Sequence, residues 1–131
     1  MNLESPKVEV QKTPQDVFDF LSNIKNFESL MPDNISKFEV LEDDTFLFAL
    51  KGMPEIVLKK KSVEAPNKIV LGAGGGKIDF TLTGNISAKE ENSSEVQLLF
   101  DGDFNPMMAM MIKGPITKFI ETLVNSIPKA I

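Results

Sequence analysis

A chain of 131 residues, 42% hydrophobic and 25% charged, has the composition of one globular domain and excludes disorder and collagen-like repeats. All 14 basic residues are lysine and all ten aromatics are phenylalanine, and the lack of Cys and His removes thiolate nucleophiles, imidazole bases, disulfides, zinc fingers and haem ligation. A net charge of −5, without Arg for bidentate contacts or Tyr and Trp for base stacking, argues against nucleic acid as a partner.

The chain opens on Lys7-Val8-Glu9-Val10-Gln11, whose alternation predicts a half-buried strand. Thr13-Pro14-Gln15-Asp16 supplies a capping hydroxyl, a proline at the first helical position and an acid in the first turn. A helix is predicted there, with Val17, Phe20, Leu21 and Ile24 at helical spacing. After a break near Asn23, a second short helix carries Phe27, Leu30 and Met31 and ends at Pro32.

From residue 36 to about 104 the period becomes two. Six strands are predicted, with inward faces at Phe38 and Val40; Phe46, Phe48 and Leu50; Ile56 and Leu58; Ile69 and Leu71; Ile78, Phe80 and Leu82; and Val96, Leu98 and Phe100. Short turn segments such as Glu42-Asp43-Asp44, Gly52-Met53-Pro54 and Pro66-Asn67 make neighbours antiparallel. With the strand at Val8, this gives a seven-stranded sheet covered on one side.

The cover is a long C-terminal helix. Asn105-Pro106 repeats the cap-and-proline start, and Met108, Met111, Ile112, Ile116, Phe119, Ile120, Leu123 and Ile127 form an apolar stripe opposite Lys113, Lys118, Glu121, Asn125 and Lys129. Gly114-Pro115 predicts a kink or a brief break, because an interior proline removes a backbone hydrogen bond.

This order of elements, with Leu30-Met31-Pro32 after the second helix and Asn105-Pro106 before the last, resembles the START-like or SRPBCC superfamily. The resemblance covers nearly the whole chain and implies an α+β helix-grip fold: a curved antiparallel sheet wrapped around the C-terminal helix. It also implies a cavity for a lipid, sterol, quinone or polyketide. Similar subfamilies are polyketide cyclase/dehydrase and lipid-transport proteins, coenzyme Q-binding proteins and small carbon-monoxide-dehydrogenase accessory proteins. This chain lacks the His, Arg, Tyr and Trp that often orient a substrate in the enzymatic members.

Motifs for other chemistry fail on spacing. The run Gly72-Ala73-Gly74-Gly75-Gly76-Lys77 lacks the glycine and hydroxyl positions of a phosphate loop and reads as a hairpin connection. Asp101-Gly102-Asp103 starts like a calcium loop, but Pro106 and Ile112 occupy its glycine and glutamate positions. No metal, cofactor or catalytic residue is implied.

The ligand-lining candidates are therefore Phe46, Phe48, Phe80, Leu98, Phe100, Met108, Met111, Ile112 and Phe119. Lys60 and Glu64 share strand parity with Ile56 and Leu58 and are candidate polar groups at the cavity rim. The first reading is a non-catalytic carrier of a small hydrophobic molecule. The second is a cyclase-type enzyme that uses the same cavity. The third is an interaction module with a filled interior, in which Phe104 and Met107 to Met111 contact a protein partner or a second copy. The N-terminus lacks the basic start and apolar stretch of a signal peptide, and no segment is apolar for long enough to span a membrane, so a cytoplasmic location is expected.

Overall fold

The computed structural model describes residues 2–53, 55–74 and 80–131. Expectations that fall on Pro54, Gly75, Gly76, Lys77 and Ile78 lie outside the described residues. Among the described residues eight strands form one antiparallel sheet: β1 (Asn2–Glu4), β2 (Val8–Val10), β3 (Ile35–Glu42), β4 (Thr45–Leu50), β5 (Ile56–Glu64), β6 (Lys68–Ala73), β7 (Phe80–Glu90) and β8 (Ser93–Gly102). Their order is β1-β8-β7-β6-β5-β4-β3, and β2 also pairs with β8.

The count is eight rather than seven because the first strand is two strands. Pro6 has no backbone N–H for the ladder, and Ser5 bridges the interruption. The Ser5 N–H donates to the Leu98 carbonyl at 2.9 Å, and the Leu98 N–H donates back to Ser5 Oγ at 2.9 Å. Asn2–Glu4 and Val8–Val10 thus lie end to end along β8.

Both cap-and-proline starts work as the sequence predicts. Thr13 Oγ1 accepts from the Asp16 N–H at the head of α1 (Pro14–Ser22), and Asn105 Oδ1 accepts from the Met108 N–H at 2.8 Å at the head of α2 (Pro106–Ala130). Asn23 ends α1 and caps the second short helix, a 3₁₀ helix over Ile24–Leu30 with Met31 as its C-cap.

The helix α2 runs unbroken through Gly114-Pro115, so of the expected kink or brief break the break is absent. Pro115 lies on the exposed side, where water can satisfy the Met111 carbonyl that loses its helical donor. Ile112, Ile116, Phe119, Ile120, Leu123, Val124 and Ile127 face the sheet and are buried. Bulges in the pairs β3–β4, β5–β6 and β7–β8 bend the strands, which lets the sheet curl around the helix.

Candidate functional site

The predicted cavity residues come together, but the space between sheet and helix is nearly full. Phe46, Phe48, Phe80, Leu98, Phe100, Ile112 and Phe119 are all buried in one core. The rings form a continuous relay from the 3₁₀ helix to α2. Phe27 and Phe38 each stack on Phe46 at 5.3 Å, Phe46 lies 6.0 Å from Phe48, and Phe48 stacks on Phe119 at 4.7 Å, nearly parallel. Phe80 and Phe100 stack separately at 5.3 Å.

Two small voids are found there among the described residues. One of about 20 Å³ is bordered by Leu21, Phe27, Leu71, Gly84, Leu98 and Leu123 among others, and one of about 10 Å³ by Ile116 and Phe119 of α2 and Phe48, Leu58, Phe80 and Phe100 of the sheet among others. Each has about the volume of one water, but their linings are hydrocarbon and offer a water no partners, so they stay dry.

Gly84 is one reason for the larger void. A methyl at Gly84 would meet Leu98 at 3.6 Å and the Ile69 carbonyl oxygen at 4.0 Å, both ordinary contacts. Gly84→Ala is expected to stabilise the protein by about 0.5–1 kcal/mol, by stiffening the strand and filling space. Urea unfolding measures this, and a destabilised variant would mean that the site is already full.

Met111 and Glu64 are placed differently, and Lys60 keeps its expected parity but has a partner of its own. Met111 is 68% exposed, outside the core. The buried line through Ile112, Ile116 and Phe119 extends back to Met108, which is half-buried. Met111 is turned onto the outer face with Met107 and Met110, which are 75% and 84% exposed.

Glu64 is exposed on the outer face because the β5 bulge between Lys60 and Ser62 reverses the strand's parity. Before the bulge Lys60 stands opposite the buried Leu71; beyond it Val63 faces the buried Ile69 and Glu64 stands opposite Lys68. Lys60 is half-buried, and its ammonium donates to the Ser22 carbonyl at 3.0 Å, closing the C-terminus of α1 where a cation suits the helix dipole. Its role here is that of a cap.

A surface cleft of about 510 Å³, larger than either void, is one that the sequence did not single out. Asp33 and Asn34 before β3, Leu50 at the end of β4 with Lys51 and Met53 beyond it, and Gly114, Pro115, Lys118, Phe119 and Thr122 of α2 line it. These residues come from three separated stretches and share no periodicity, so no local pattern marks them. Phe119 borders both this cleft and the smaller interior void. The two linings therefore share this ring.

Charges with perturbed titration lie elsewhere. The hydrogen bond from Lys89, with a second from Gln11, holds the Glu9 carboxyl below its ordinary value, and the Glu9 hydrogen bond raises Lys89 in turn. The hydrogen bond to Glu55 raises Lys37. Both pairs are on the surface, at 2.9 Å and 3.0 Å. Among the described residues no group of three or more acids could hold a metal, and no helix is long and apolar enough to cross a membrane.

Residues 7–131 match the family of CoxG, the G subunit of carbon monoxide dehydrogenase. The chain belongs to the CoxG family. Its fold is START-like. A START superfamily protein from Mycobacterium smegmatis superposes with a TM-score of 0.75 at 14% identity, covering 98% of this chain and 94% of that one. Norcoclaurine synthase from Thalictrum flavum gives 0.77 at 14% identity, covering 98% of this chain and 84% of that one. A protein from Thermus thermophilus gives 0.77 at 9% identity, covering 99% of this chain and 96% of that one. A comparison with curated proteins gives no match. At such identities the likeness to this CoxG-family chain is one of fold.

Proposed function

We propose that this CoxG-family protein binds a small hydrophobic molecule between its sheet and α2 without transforming it. The observation that carries this reading is Phe119, which borders both a cleft of about 510 Å³ and an apolar interior void. Rotation of Phe119 out of its stack on Phe48 would join the two spaces. Binding would then draw on burial, at roughly 25 cal/mol per Å² of apolar area. The fold also serves an enzyme, norcoclaurine synthase. Among the described residues no ionisable group borders these interior voids, which favours binding over proton transfer.

Native mass spectrometry after incubation with a cell lipid extract tests the proposal. A discrete mass excess that is lost on denaturation is expected; a bare chain mass throughout would overturn it. A second reading keeps the interior filled and uses α2 as a contact surface. It draws on Met107, Met110 and Met111, which stand exposed at helical spacing. A native mass of two chains without ligand would favour that reading.

A further inference from the structure

The cleft has a chemistry of its own, apart from the interior behind it. Its floor is apolar, made by the buried Leu50 and Phe119 together with Met53 and Pro115. Among the described residues its cations are Lys51 and Lys118, and its one bordering carboxylate is Asp33. The two lysines reach the cleft from different elements. Lys51 follows β4, where its backbone N–H donates to the Asn34 carbonyl at 3.0 Å, and Lys118 projects from α2.

Among the described residues neither ammonium takes part in an ion pair or a side-chain hydrogen bond. The pairs are Lys7 with Glu95, Lys37 with Glu55 and Lys89 with Glu9, and Lys60 is spent on α1. The chain has 19 acids against 14 lysines, yet the sequence from Phe104 to Ile120 contains none of those acids and two of the lysines, Lys113 and Lys118. The cleft therefore runs against the protein's average charge. A long-range field from a net −5 chain repels anions, so two uncommitted cations beside an apolar floor make a local exception.

We propose that this cleft holds the head group of an anionic amphiphile, a hydrocarbon chain ending in a carboxylate, between Lys51 and Lys118, with its tail on Phe119. The inference rests on the hydrophobic-ligand reading and narrows its ligand class. A lysine ammonium acts as a point charge on a flexible stem, so the head group is selected for charge more than for planar shape. A volume of about 510 Å³ lies within the range of small-molecule sites. The tail reaches the interior only by displacing Phe119.

Two fluorescent probes that share one tail separate the claims: cis-parinaric acid and the corresponding alcohol. Titrated into the full chain, the acid is expected to bind roughly tenfold more tightly than the alcohol, the size of effect that two partly solvated charge contacts supply. Lys51→Gln combined with Lys118→Gln is expected to remove that preference and leave alcohol binding unchanged. Both side chains are exposed, so the variant retains the fold, which circular dichroism checks. Raising salt from about 0.1 M to about 1 M should weaken the acid alone. Equal binding of acid and alcohol, unaffected by the double substitution, overturns the anionic head group while hydrophobic binding stands. If neither probe binds, both readings fall.

Discussion

Phe46→Ala is expected to cost about 3–5 kcal/mol of folding stability, at the top of the range for truncating a buried aromatic. The Phe46 side chain is fully buried, and three other rings meet it within 6.0 Å. Those rings come from the 3₁₀ helix, from β3 and from β4 itself, so the substitution loosens three elements at once. None of them can follow the lost ring inward: Phe38 and Phe48 are fixed by strand register, since Val40 pairs with Phe46 and Phe38 with Phe48. Domains of this size are stable by about 5–15 kcal/mol, so the loss removes a large fraction of the total. Calorimetry should show the melting temperature lowered on the order of 10–20 °C. A drop of only a few degrees would mean that the ring relay closes over the gap, and that the core is softer than its stacking distances imply.

The period-two pattern from Phe38 to Phe100 made the sheet legible, because each strand has one apolar and one polar face and a slip of one residue would invert it. The caps at Thr13 and Asn105 were legible for a similar reason: a side-chain oxygen two or three residues before the first free N–H groups is a local requirement. What failed was not local. The bulge after Lys60 moved Glu64 to the outer face, and a bulge leaves no mark in side-chain parity until the partner strand is known.

Met111 failed by angle. It is one residue, or about 100°, from Ile112, and an apolar residue beside a stripe reads as part of it unless the stripe's exact edge is known. Ser5 went unseen because its hydroxyl acts on Leu98, which is 93 residues away in the chain. The cleft was the least legible feature of all. Lys51 carried no reading, Lys118 read as the solvated side of a helix, and only tertiary folding sets them around one space. Patterns in the sequence thus reported which side of each element is apolar; they could not report where two polar sides meet.

Phe119→Ala should separate a ligand route from a mere packing contact. Its expected stability cost equals that of Phe46→Ala, about 3–5 kcal/mol, since both remove a buried stacked ring. The consequence for binding differs. Phe46 borders neither interior void, so its removal leaves an enclosed gap. Removing Phe119 opens the void beside Ile116 and Phe48 directly onto the cleft, giving an apolar recess with an entrance. Such a recess, lined by Phe48, Leu58, Ile116 and Phe100, is a site for an uncharged aromatic probe, because apolar engineered cavities remain dry and accept apolar guests. The uncharged dye N-phenyl-1-naphthylamine is therefore expected to bind Phe119→Ala about tenfold or more tighter than the parent protein, with Phe46→Ala unchanged. Both variants are measured at low temperature, with the milder Phe119→Leu alongside in case the alanine form unfolds. Equal dye binding by the folded Phe119 variants and the parent would show that the cleft and the interior do not communicate, and the entry route through Phe119 would have to be abandoned.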